Sequence, residues 1–242
     1  MIGGVNMNLN KKPIIGIVSK HFLKDEPRPN MFIRDEIKQA IFDNGGIAIG
    51  IILPKDEKLD VEDKWENNLN DIEYDNLVSQ IKLCDGVLLQ GGGACDNYEM
   101  IVAKYCYDND IPILGICCGQ NVMVRALGGT TKLIENPLKH NTNDLYVHSV
   151  RLIENTKFYS IIGKEKFEVN SRHKKTVDKH PKLIINCICD DGYIDGIESP
   201  DKTFYMAFRF HPESLYNRDK FHNKIFDEFI KICSGEKNET KI

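Results

Sequence analysis

Ile111-Pro112-Ile113-Leu114-Gly115-Ile116-Cys117-Cys118-Gly119-Gln120 is the stretch that decides how this chain folds. Its first half is an apolar run of strand length. From Gln120 to about Leu127 the apolar residues recur at helical spacing. A strand, a tight turn and a helix with a nucleophilic side chain at the turn make a nucleophile elbow. Glycines stand two residues before and two after Cys117, where a side chain would crowd the neighbouring strand and helix. A thiol placed there meets the N–H groups and dipole of a helix N-terminus, which favour the thiolate. Cys118 has Ile116 and Gln120 at the same offsets. Cys117 is therefore the expected nucleophile, and the backbone N–H of Cys118 an expected oxyanion donor.

The flanking segments extend the same pattern. Pro13 to Ser19, Ile47 to Leu53, Gly86 to Gln90 and Ile111 to Ile116 read as strands. Met31 to Asn44, Asp75 to Leu83 and Asn97 to Asn109 read as the helices between them. Strands alternating with helices imply an α/β chain whose parallel sheet is covered on both faces. After Gly128-Gly129 the pattern changes. Tyr146 to Ile153, Phe167 to Asn170, Leu183 to Cys189, Tyr193 to Glu198 and Phe204 to Phe210 all read as strands, with a turn at Asp190-Asp191-Gly192. An additional antiparallel region is expected there. Arg218 to Cys233 reads as an amphipathic helix. One domain over residues 13–233 is expected, with flexible termini at 1–12 and 234–242.

Composition excludes several function classes. The 242 residues are 41% hydrophobic and 28% charged, with a net charge of -4. That balance gives no reason to expect nucleic acid or an acidic membrane as partner. The longest apolar stretch, Gly46 to Leu53, is too short to span a bilayer, and Met1 to Lys12 lacks the apolar core of an export signal. A cytoplasmic location is expected, with the eight cysteines as free thiols. Cys187 and Cys189 form C-x-C without a C-x-x-C pair elsewhere, so they read as small buried hydrophobes and no metal is expected. Lys55 to Asp75 carries nine acidic residues against three lysines and the single tryptophan, Trp65, and reads as a solvated excursion.

Two further motifs bear on chemistry. Phe210-His211-Pro212-Glu213 ends the last strand. His211 can take a proton from a thiol and return it to a leaving amine, and Glu213 lies close enough in sequence to hold the far ring nitrogen. Gly91-Gly92-Gly93 follows another strand end, where Gly92 and Gly93 are candidates to point a backbone N–H at a developing oxyanion. All three motifs lie at C-terminal ends of strands, where active sites of such sheets are found.

From Pro13 to Cys233 the chain resembles class I glutamine amidotransferases, and more narrowly the stand-alone γ-glutamyl hydrolase branch, peptidase family C26. The marks are Pro13-Ile-Ile-Gly-Ile, Asp85-Gly-Val-Leu-Leu-Gln-Gly-Gly-Gly, Pro112-Ile-Leu-Gly-Ile-Cys-Cys-Gly, Leu127-Gly-Gly-Thr, Val169-Asn-Ser-Arg-His and Phe210-His-Pro-Glu. The resemblance implies a flavodoxin-like three-layer α/β/α sandwich with a mostly parallel central sheet. It also implies a Cys-His-Glu triad of Cys117, His211 and Glu213, and hydrolysis of a γ-glutamyl amide through a thioester, without metal or organic cofactor. Gln120, Asn121, Asn170, Ser171, His173 and Arg209 fall at positions expected to contact substrate. The Asn170-Ser171-x-His173 segment favours the hydrolase branch over synthase glutaminases. The alternative is a glutaminase component that passes ammonia to a separate synthase partner. A homodimer through surface helices is compatible with the sequence, though no apolar stripe demands it.

Departures from the family pattern spare the triad. Asn121 stands for the usual Gln, Lys174-Lys175 for His-Gln and Arg209 for Gln, and the usual Asp-Val-x-Pro after the triple glycine is absent. Lys174, Lys175 and Arg209 would suit a leaving group that carries negative charge.

Overall fold

The computed structural model describes residues 12–21, 30–53, 69–92, 97–136 and 139–235. Strands β1 (Ile14–Val18), β4 (Ile47–Ile51), β5 (Gly86–Leu89), β6 (Ile113–Ile116) and β13 (Tyr205–Phe208) are parallel neighbours in the order β4-β1-β5-β6-β13. The same sheet continues through β12 (Ile194–Glu198), β11 (Ile184–Cys189), β8 (His148–Leu152) and β9 (Lys166–Val169), each antiparallel to the last, to make nine strands. The mixed sheet with a parallel centre is the architecture expected from the change of pattern after Gly129.

Side chains alternate across this sheet and feed two cores. Ile17, Leu88, Leu114, Met206 and Phe208 face one side, where helices α1 (Asp35–Asp43), α5 (Lys157–Ile162) and α6 (Lys220–Cys233) contribute Ile37, Ile41, Phe158, Phe226 and Phe229. Val18, Val87, Leu89, Ile113 and Ala207 face the other, against α2 (Asp71–Lys82), α3 (Asn97–Asp108) and α4 (Cys118–Ala126). Helices therefore cover both faces in three layers. Burial on both faces explains why β5, β6 and β13 read as unbroken apolar runs.

Several boundaries differ from expectation. Helix α1 begins at Asp35, because Met31–Phe32 (β3) pairs instead with Lys20–His21 (β2). Helix α2 begins four residues before the expected Asp75. Asn70 and Glu73 form a capping box, with Asn70 Oδ1 accepting from the N–H groups of Ile72 and Glu73 at 3.0 Å and Glu73 Oε2 from Asn70 N at 3.0 Å. Helix α5 and the ribbon of β7 (Thr130–Leu133) with β10 (Lys175–Lys179) were not legible in the sequence. Most of the acidic excursion, with Trp65, lies outside the described residues, as does Gly93. No described helix is long and apolar enough to cross a membrane.

Candidate active site

The elbow follows from the packing around it. Strand β6 ends at Ile116 and α4 starts at Cys118, two residues before the expected Gln120. Cys117, between them, has φ 52° and ψ -103°, a conformation that costs a non-glycine residue about 1–3 kcal/mol. Its N–H donates to Phe208 O at 2.7 Å, which ties the turn to β13. A Cβ at Gly119 would lie 2.6 Å from Leu89 O on β5, so α4 approaches the strand closely only because that residue is glycine. A Cβ at Gly115 would meet Met123 Sδ at 2.5 Å. Both flanking glycines thus meet the crowding expected of them.

Strand β13 carries the chain onward to His211. His211 N donates to Asn170 Oδ1 at 2.7 Å, and Asn170 Nδ2 donates to His211 O at 2.8 Å. These two bonds clamp the histidine backbone from the segment after β9. A short 3-10 turn, Pro212–Ser214, then brings Glu213 back, and its Oε1 lies 2.7 Å from His211 Nδ1. His211 and Glu213 are both buried. The thiol and the imidazole meet at Gly91: a Cβ there would lie 3.0 Å from Cys117 Cβ and 2.8 Å from His211 Cε1. The three strand ends named by the sequence therefore converge.

The electrostatics set the protonation states. Burial pushes the Cys117 thiol up, but His211, and behind it the Arg209 guanidinium, outweigh this and hold it at about 6. Burial pulls the His211 imidazolium down, but the carboxylate of Glu213 and the thiolate of Cys117 outweigh this and lift it to about 10. Near neutral pH the pair is a thiolate and an imidazolium. Elsewhere burial acts alone or with acidic neighbours, and Cys84 is pushed up to about 11. Cys106, Cys187, Cys189 and Cys233 are raised further. All six of these cysteines are free thiols, whereas Cys118 is disulfide-bonded. That corrects the expectation of free thiols throughout; a pairing made by folding leaves no mark on local sequence.

Of the other residues singled out by sequence, Gln120, Asn121, Ser171, His173 and Arg209 are buried. Arg209 is buried beneath the elbow, where Nη1 donates to Cys117 O at 2.9 Å and to Asn121 Oδ1 at 2.6 Å. It serves the nucleophile turn rather than an open wall, so a contact from Arg209 to a charged leaving group does not fit its placement. Gln120 is fully buried, with Nε2 donating to Ala207 O at 3.5 Å. Ser171 Oγ donates to His140 O at 2.9 Å, and His173 Nδ1 lies 3.0 Å from Lys175 O. Lys174 is exposed and Lys175 half-buried at the start of β10.

One residue was missed. Arg34, exposed at the start of α1, donates from its backbone N to Gln90 Oε1 at 2.9 Å and from Nε to Gly91 O at 3.2 Å. Gly92 has φ +88°, and a Cβ on it would lie 2.4 Å from Arg34 Nη2. The guanidinium therefore lies against the loop that meets Cys117 and His211. Its sequence context is that of an ordinary exposed helix start and carried no sign of this.

The model of the Peptidase C26 family matches residues 90–213, from the Gly91-Gly92 loop through Cys117 to Glu213. The chain belongs to the peptidase C26 family. Among curated proteins this C26 chain is similar to CTP synthase of Clostridium beijerinckii, 28% identical over an alignment 215 positions long that covers 75% of this chain and 40% of that protein. CTP synthase of Lactobacillus helveticus is 26% identical over 74% of this chain and 39% of its own length. The chain thus spans about two-fifths of the length of these relatives. Among solved structures, the glutaminase domain of Trypanosoma brucei CTPS, with bound acivicin, superposes with a TM-score of 0.65 at 16% identity, covering 95% of this chain and 96% of that one. A glutamine amidotransferase from Thermotoga maritima gives 0.55 at 14% identity, with 93% and 94% covered. These likenesses show the three-layer fold.

Proposed function

We propose that this C26 chain is a cysteine-dependent amidase that cleaves the γ-amide bond of a small γ-glutamyl compound through a thioester on Cys117. The observation that carries the reading is a thiol on a strained strand-to-helix turn, beside an imidazole whose far nitrogen is held by a buried carboxylate. The Cys117 thiolate attacks the γ-carbonyl. The N–H of Cys118 at the head of α4, with Gly92 and Gly93, stabilises the oxyanion. Imidazolium His211 gives its proton to the departing nitrogen as the C–N bond breaks, leaving the thioester and neutral imidazole. His211 then takes a proton from water, whose oxygen attacks the thioester and releases glutamate and thiolate. Glu213 fixes the ring and steadies its charged form. No cofactor enters these steps.

Asn170, Asn121 and Arg209 are positioning residues in this reading, since each acts through Cys117 or His211. Asn170→Ala should lower kcat by about 100-fold with KM nearly unchanged, because displacing His211 by about 1 Å is enough for that loss. Steady-state kinetics beside a thermal melt checks it. Arg34 supplies an exposed cation at the loop, suited to a carboxylate of the glutamyl group. The reading places the enzyme in the cytoplasm.

A second reading has a specific observation in its favour: the curated relatives are CTP synthases, and this chain matches about two-fifths of each. In that case the chain is a glutaminase component, and a separate synthase consumes its ammonia. Amine and ammonia release from glutamine and a panel of γ-glutamyl amides, with the purified chain alone, separates the two. Release from a γ-glutamyl amide with little from glutamine is the expected result. Release chiefly from glutamine, or none until a synthase is added, moves the chain to the second reading.

A further inference from the structure

Away from the elbow, five segments bring a second set of titratable side chains together. His140 precedes β8, His148 heads it, Cys189 ends β11, Asp191 lies in the following turn, and Asp195 sits on β12. The ligand atoms of His140, His148 and Cys189 all lie within 4.8 Å of one another. The rings of His140 and His148 have centroids 5.0 Å apart. Asp191 joins two of the three: Oδ2 lies 2.8 Å from His140 Nε2, and Oδ1 accepts from Cys189 Sγ at 2.9 Å. Asp195 Oδ2 lies 2.7 Å from His148 Nε2.

The geometry points to a binding site for a divalent transition cation, best matched by zinc, with His140, His148 and Cys189 as ligands and Asp191 able to take the fourth position. Two imidazoles and one thiolate are a donor set for zinc rather than for the hard cations magnesium and calcium. Tetrahedral zinc brings such ligand atoms to about 3.3–3.7 Å from one another, so side-chain rotations of about 1 Å close the site. Asp195 on His148 is the carboxylate that orients a metal-binding histidine.

A second observation points the same way. Buried His173 Nε2 and Asp195 Oδ1 face each other at 3.7 Å, and neither has a hydrogen-bond partner among the described residues. The His173 ring lies 5.2 Å from that of His140. A charged or polar occupant beside the cluster would therefore find a ring nitrogen and a carboxylate oxygen with hydrogen-bonding capacity to spare. The site also has a structural consequence. His173 N and Ser171 Oγ both donate to His140 O, at 2.7 and 2.9 Å, while Asn170 in the same segment clamps His211. A cation on His140 would brace the segment that holds His211 in place. The sequence carries little sign of such a site, because its ligands come from three separate segments and Cys187-x-Cys189 has no C-x-x-C pair elsewhere.

Cobalt titration of the chelator-stripped full chain tests the site. It is done in a Cys117→Ser background, so that the active-site thiolate cannot contribute. The expected result is about one Co2+ per chain, with sulfur-to-metal charge-transfer absorption and tetrahedral d–d bands, displaced by an equal amount of Zn2+. Cys189→Ser should abolish the charge-transfer band. Asp195→Asn should weaken metal affinity by about 10–100-fold. Should Cys189→Ser fail to fold in a metal-free melt, Asp195→Asn decides alone, and unchanged affinity rejects the site. Absence of the charge-transfer band from the parent, or its survival in Cys189→Ser, also overturns the proposal.

Discussion

Replacing Cys117 with alanine should lower turnover of a γ-glutamyl amide by about 10^4-fold or more, with substrate binding and thermal stability nearly intact. The size of the loss follows from the role. Only a covalent intermediate divides amide cleavage into two easier steps, and no other described thiol is held in its ionised form. Stability should hold because alanine is the smaller residue at a position with φ 52°, and no hydrogen bond that fixes the turn uses the sulfur. Single-turnover kinetics beside a thermal melt separates the two effects. A variant that keeps a tenth of wild-type turnover would remove Cys117 from the chemistry.

The second large effect concerns His211. In the wild type, alkylation of Cys117 should titrate with a midpoint near pH 6, since the folded site favours the thiolate from there upward. The sign in His211→Gln is set by what is lost. The imidazolium goes, while burial and Glu213, which both push the thiol up, remain. The midpoint should therefore move to about 8.5 or higher, and alkylation at pH 7 should slow by about 30-fold. Hydrolysis should fall by about 10^4-fold, because general acid and base are lost together. Glutamine keeps a donor toward Glu213, which limits structural damage. In the wild type, kcat/KM should fall below pH 6 as the thiolate is protonated and above pH 10 as His211 loses its proton. The two limbs belong to the coupled pair. An alkylation midpoint that stays near 6 in His211→Gln would contradict the assignment.

Much of this framework is readable along the chain because its causes are local. The apolar run before Cys117 and the glycines around it are consequences of a strand and a helix packed on Leu89 and Met123, and they leave a mark at fixed spacing. The same holds for β5 and β13, whose burial on both faces removes polar residues altogether. What escaped is what folding assembles from distant segments. Arg34 meets Gly91 from another element, and its own neighbours in sequence only describe a helix start. Arg209 reads as a substrate-contacting cation until β13 is laid beside β6, which points it at Cys117 O. The ribbon of β7 and β10 joins segments more than forty residues apart, and its exposed side chains lack the alternation of a buried strand. The early start of α2 is different. Asn70 and Glu73 are a local signal, and the acidic residues around them obscured it.

In this mechanism Cys117 Sγ carries the γ-glutamyl group. A glutamine analogue bearing an electrophilic carbon in place of the γ-amide tests it most directly, with peptide mass spectrometry to locate the adduct. The account predicts one adduct per chain, on Cys117, formed more slowly in the presence of a γ-glutamyl amide and absent from Cys117→Ala. An adduct on another cysteine, or labelling of Cys117 that substrate does not slow, would contradict it.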